Sequence, residues 1–193
     1  CTSLAKAGYE VTLLGRHLSS SKVLDQQPFQ QQRLRLLFEK GKLFYLEMNL
    51  RLFWKLLFTP FDIVHCVDLD TLLPGFLVAR LRRKICVYDA HEYFTEVPEV
   101  VERPMVQKIW KILARLLIPR LNFALTVNRS LAEVFEKEYG VKFEVIRNVP
   151  TRLPATEARF YSNNSPFIVL YQGVLNDGRG LEEAIEAMTL LEN

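Results

Sequence analysis

A chain of 193 residues, 49% hydrophobic and 24% charged, with three cysteines and a net charge of +3, is long enough to bury a real core. This ordinary globular composition excludes a disordered segment and a disulfide scaffold. So mild a charge implies no nucleic-acid partner, which would require a basic stripe and an aromatic platform for bases.

The opening CTSLAKAGYE lacks a basic start followed by an apolar core, so no signal peptide is read there. It reads as the end of a helix, with Leu4 and Ala7 on one face, a left-handed stop at Gly8 and a strand over residues 9–14. A first strand and its loop are expected upstream. Over residues 33–58 the apolar positions Leu34, Leu37, Phe38, Phe44, Leu46, Leu50, Phe53, Trp54 and Leu57, with scattered Arg and Lys, predict a helix interrupted near Gly41. Strands are predicted at residues 63–67, 85–88, 123–127 and 143–146, with helices between them at 72–82, 106–117 and 131–139. Cys66 and Cys86 lie in apolar strand-like runs, where a thiol behaves as a small buried hydrophobe. An odd cysteine count and the lack of CxxC or Cys/His spacing point to a reducing cytosol and no structural metal. Ser130 and Glu133 have the spacing of a capping box, and Gly140 closes that helix.

Short β-rich runs alternating with helical patterns define an α/β domain with a parallel sheet. The polar, proline-bearing stretch 150–165 reads as a linker, and VLYQGVLNDGRG, from Val169 to Gly180, as a strand, turn and helix opening a second domain. The expected organisation is a first domain over 1–149, the linker, and the start of a second domain over 166–193.

Ligands of open parallel sheets bind beyond the carboxyl ends of the strands, which singles out three places. Asp68 and Asp70 form an Asp-x-Asp suited to a hard divalent cation, but Asp70 before Thr71 and Leu72 is better read as a helix cap, and no metal is expected. His91 and Glu92 follow the strand ending near Tyr88. His91 either donates to a substrate hydroxyl or phosphate, with Glu92 orienting it or touching a sugar, or it is a structural hydrogen-bonder in a loop. Asn176, Asp177, Gly178, Arg179 and Gly180 precede a helix whose free amides and neighbouring guanidinium suit a diphosphate; the alternative is a tight surface turn.

The segments DIVHCVDLDTLLPG, VYDAHEYFTEVPE, TVNRSLAEVF, VIRNVP and YQGVLNDGRGLEEAIEAM, in that order over nearly the whole chain, resemble the retaining glycosyltransferases of family 4. The resemblance implies the GT-B architecture of two Rossmann-like domains, here incomplete at both ends. It implies a nucleotide-sugar donor held by the C-terminal domain, an acceptor (a glycan or lipid-linked glycan) held by the N-terminal one, and transfer without metal or other cofactor. By the same resemblance His91 is the catalytic histidine facing the transferred sugar, and Gly173, Arg179 and Gly180 are donor-binding, while Glu92 is read as a substrate contact from its place beside His91. Asn148 falls in the turn that ends the first domain, where a structural role is expected.

Val174 stands where many relatives have an arginine, and the family's paired glutamates are not found in this chain. The 193-residue chain alone is therefore expected to bind nucleotide sugar poorly and to turn nothing over. Competing readings are a non-catalytic binding domain on the same fold, and a sugar-nucleotide 2-epimerase using acids and histidine for proton transfer. A nicotinamide dehydrogenase is disfavoured because no glycine fingerprint follows a visible first strand.

The implied setting is polysaccharide biosynthesis in the cytoplasm, at the inner face of the cell membrane where lipid-linked acceptors lie. Arg33, Arg35, Lys40, Lys42, Arg51 and Lys55 accompany one apolar face, and Lys108, Lys111 and Arg115 flank Ile109, Trp110, Ile112, Leu116 and Leu117. These faces either pack on the sheet or lie in an anionic interface. The sequence has no uninterrupted apolar run of roughly 18 residues to span a bilayer.

Overall fold

The computed structural model describes residues 1–149, 168–173, 175 and 180–190. After a short helix α1 (Thr2–Lys6), strands β1 (Thr12–His17) and β2 (Gln30–Arg35) pair in parallel, Thr12 opposite Gln30 and His17 opposite Arg35. A second sheet holds β3 (Ile63–Val67), β4 (Ile85–Ala90), β5 (Phe123–Thr126) and β6 (Glu144–Val145) in that order, every neighbouring pair parallel. Parallel neighbours need long crossovers. Helices α2 (Gly41–Phe58) and α3 (Leu69–Arg82), a short α4 (Pro98–Val101), α5 (Pro104–Leu117) and α6 (Arg129–Tyr139) lie between the strands, so the fold is the expected α/β arrangement of parallel sheets flanked by helices.

The largest departure concerns residues 33–58. A single interrupted helix was the expectation; instead Gln30–Arg35 is a strand, and the helix begins at Gly41, whose φ of +81° breaks the run where only glycine sits without strain. Leu34, Leu37 and Phe38 imitate helical spacing, but pairing with β1 satisfies the backbone of residues 30–35, a long-range gain that local periodicity does not contain. The first strand is likewise displaced, to Thr12–His17 from residues 9–14, while Gly8 takes φ +90° as its role as a stop requires.

The crossovers are joined by side chains that complete backbone groups. Pro74 lies inside α3 and has no N–H to give the carbonyl of Asp70. Asn49 of α2 fills that gap: its Nδ2 donates to Asp70 O at 3.1 Å and to Tyr45 O at 2.9 Å, tying α2 to α3. Arg82 donates to the carbonyls of Leu56, 2.8 Å away, and Thr59, 2.5 Å away, at the otherwise open end of α2. The main core lies between the second sheet and its helices, around Leu72, Tyr88, Ala114, Ile118 and Phe135. Cys66 is buried in this core and Cys86 half-buried on the neighbouring strand, with both thiols free and their sulfurs 4.0 Å apart.

Two helix starts differ from expectation. Asn128, not Ser130, caps α6, accepting the Leu131 amide at 2.8 Å, while Gly140 closes the helix in the left-handed region at φ +68°. Glu133 reaches Arg129 at 3.6 Å instead of returning to a cap. Helix α3 begins before Asp70, at Leu69, and its preceding residue Asp68 gives its carboxylate elsewhere. The linker 150–165 lies outside the described residues. Residues 168–173 form no strand among the described residues, and helix α7 (Leu181–Met188) buries none of its side chains.

Candidate functional site

Strands β3 and β4 end side by side, Val67 opposite Asp89, and Ala90 lies opposite Thr126 of β5. Thr126, fully buried, donates its hydroxyl to Ala90 O at 2.8 Å and fixes the point where β4 gives way to its loop. The next residue is His91. Its backbone N–H donates to Asp68 Oδ1 at 2.9 Å, while the Asp68 N–H donates to Asp89 O, also at 2.9 Å. Asp68 thus binds the end of β3 to the start of the β4 loop through both its backbone and its side chain.

This use of Asp68 explains why α3 lacks a side-chain cap. Asp68 stands at φ +57°, a conformation that costs roughly 1–3 kcal/mol for a residue other than glycine and is kept where surrounding bonds enforce it. Burial is the main influence on its carboxyl and raises its pKa above the ordinary value, although the amides of His91 and Glu92 both bond to it. The carboxylate is therefore held by main-chain donors that shape the loop carrying His91.

Asp89 organises the histidines. Its Oδ2 lies 2.9 Å from His65 Nε2 and 3.1 Å from His91 Nε2, so two imidazoles converge on one carboxylate oxygen. An ionised carboxylate only accepts, which assigns a proton to Nε2 on both rings. The hydrogen bond from His65 is the leading cause holding the Asp89 carboxyl below its ordinary pKa. In the neutral His91 ring the remaining nitrogen, Nδ1, is then an acceptor, and Asn148 Nδ2 stands 3.3 Å from it as the matching donor. The His91 side chain keeps 37% of its surface exposed and Asp89 only 18%, so the ring is open to a ligand while its support is sheltered.

The structure therefore joins His91 to Asp68, Asp89, His65 and Asn148, with the Glu92 backbone also on Asp68. Asn148, expected to have a structural role in the turn, stands beside the histidine. His65 and Asp89 were not singled out by sequence reasoning; the visible signal was Asp89-x-His91 leaving one strand and a histidine in the middle of the preceding one. Gly180 takes φ +68° and starts α7, and Gly173 lies against the Tyr171 hydroxyl, but among the described residues neither belongs to the hydrogen-bonded cluster around His91. Arg179 lies outside the described residues. Asp68 and Asp70 form no metal-binding group with a third ligand-type side chain among the described residues.

A parallel α/β sheet flanked by helices, with a supported, half-open histidine beyond a strand end, defines a Rossmann-like domain with a candidate ligand site. The family model Glycosyltransferase Family 4 matches residues 1–151, and the chain belongs to that family. No curated protein matches the chain.

Proposed function

We propose that the protein transfers a sugar from a nucleotide-sugar donor to a glycan or lipid-linked acceptor, with retention at the anomeric carbon and without a metal. The observation that carries this reading is His91. Its Nε2–H is committed to Asp89, and its Nδ1 meets the amide of Asn148, a partner that a sugar hydroxyl can replace in kind. His91 then accepts from the hydroxyl of the sugar being transferred and holds that ring in place while the donor bond breaks. Departing diphosphate charge is met by Arg179 and by the amides at the start of α7, the logic by which fixed donors stabilise developing charge. Glu92 touches substrate beside the histidine, and Gly173 and Gly180 let the backbone approach the donor.

The reading extends to work at an anionic membrane surface in polysaccharide biosynthesis on the cytoplasmic side. Helix α2 exposes Leu43, Leu46, Leu50, Trp54 and Phe58 along one stripe near Lys42, Arg51 and Lys55, the pattern of an interfacial helix. Helix α5 turns Trp110 and Leu117 inward and leaves Ile109, Ile112 and Leu116 exposed. No helix among the described residues is long and apolar enough to cross a membrane.

The test is transfer of labelled sugar from a panel of nucleotide sugars by the protein expressed from its complete coding region, with lipid-linked acceptors in anionic and neutral vesicles. The expected result is product with the donor's anomeric configuration, unaffected by a chelator and greater on anionic vesicles; the 193-residue chain alone is expected to give none. Silence across the panel, or an inverted product, would overturn the reading.

A further inference from the structure

A cleft of about 700 Å³ opens where the carboxyl end of β1, the start of α2, the first turn of α3 and the loop before α5 meet. That size lies within the roughly 300–1,000 Å³ of ordinary small-ligand sites.

Its walls carry three kinds of chemistry. Arg16, Lys40 and Arg103 bring positive charge, against the acids Glu39 and Asp70. Arg16 is already set in place, its guanidinium 4.9 Å above the Phe44 ring and one N–H on the Glu39 carbonyl at 3.3 Å, and a guanidinium has further donors to offer. The fields of Arg103 and Arg16 both reach the Tyr45 hydroxyl, whose pKa burial nonetheless raises. Phe44 and Tyr45 supply ring faces, and the carboxyl of Asp70, pushed up to about 6 chiefly by burial, can accept from or donate to a hydroxyl.

Cations for an anionic group, a carboxyl and a phenol for hydroxyls, and aromatic faces for C–H edges are the complement of one ligand class. We propose that this cleft binds a phosphorylated sugar, its phosphoryl group on Arg103, Lys40 and Arg16 and its hydroxyls toward Asp70 and Tyr45. Asp70 lies two residues beyond Asp68, whose carboxylate holds the His91 amide, so the cleft adjoins the histidine's loop. That the bound group is the phosphate-bearing sugar of a lipid-linked acceptor rests on the transferase reading; that a phosphorylated sugar binds does not.

Calorimetric titration of the protein with a hexose 6-phosphate, inorganic phosphate, the neutral hexose and a nucleoside diphosphate tests this. The hexose phosphate is expected to bind saturably and at least tenfold more tightly than the neutral hexose, and Arg103→Gln and Lys40→Gln are each expected to weaken it about tenfold. Both substituted residues are surface residues, so folding is checked by an unchanged thermal midpoint, and either variant alone suffices if the other unfolds. Unchanged affinity in a folded variant, equal affinity for the neutral hexose, or displacement by the nucleoside diphosphate would overturn the proposal. If hexose phosphate binds as expected while no nucleotide sugar is turned over, the site stands and the transferase reading falls; if sugar is transferred with both variants binding like wild type, the reverse holds.

Discussion

Gly75→Ala is expected to lower stability by about 1–2 kcal/mol, and to do so only while Cys66 is present. Helix α3 lies so close to β3 that a Cβ at residue 75 would stand 2.1 Å from Cys66 Sγ, a buried atom on a short side chain with little room to retreat. Overpacking of this kind typically costs about 1–3 kcal/mol, offset in part by the roughly 1 kcal/mol that alanine gains over glycine in a helix. With the sulfur removed, the nearest remaining neighbour is Val64 Cγ2 at 3.6 Å, an ordinary contact. In a Cys66→Ala background the same substitution should therefore be neutral or stabilising. Urea denaturation of the four proteins in this cycle measures the coupling, and an equal loss in both backgrounds would contradict the account. The glycine matters for function because α3 and β3 together set where Asp68, and with it the His91 loop, is held.

Asp89→Asn is expected to reduce sugar transfer by about 10²-fold while leaving the fold intact. The carboxylate's charge strengthens its bonds to two imidazoles on one oxygen; an amide oxygen in that place is a weaker, neutral acceptor, and the amide turned the other way presents a donor that conflicts with Nε2–H. The neutral His91 ring is then expected to shift toward the Nδ1–H tautomer, which removes the acceptor offered to substrate. Nitrogen-15 shifts of the histidine rings read this directly in the unliganded protein, separately from turnover. A His91 tautomer unchanged by the substitution would show that Asp89 does not position the ring.

The elements read correctly from sequence are those whose signals are local. Strands β3, β4 and β5 are short apolar runs, and α5 and α6 carry sustained helical periodicity with a recognisable stop at Gly140. Strand β2 escaped because QQQRLR has neither β-branched residues nor clean alternation, and its stability as a strand derives from β1. Spacing alone places the α6 cap two residues late, at Ser130, because Asn128 and Ser130 are both good capping residues and the choice depends on which one keeps an extended backbone.

The site divides in the same way. His91 was legible because it follows a strand end in a parallel sheet. His65, Asp89 and Asn148 were not, because only strand register and the path of the chain after β6 bring them into one hydrogen-bonded cluster with it. Asp68 stands in an Asp-x-Asp from which no metal is expected, and its carboxylate serves main-chain amides, a use the spacing does not reveal. The sequence contains the aspartate; its partners follow from the left-handed turn at that residue, which no local pattern announces.

The proposed role of the Asp89-supported His91 is in glycosyl transfer. It is tested most directly by comparing initial rates of sugar transfer for wild type and His91→Ala, both expressed from the complete coding region and assayed with the nucleotide sugar that the panel identifies. A loss of at least 10²-fold in turnover, with thermal stability maintained, is the expected result. Turnover by folded His91→Ala within a few-fold of wild type would contradict it.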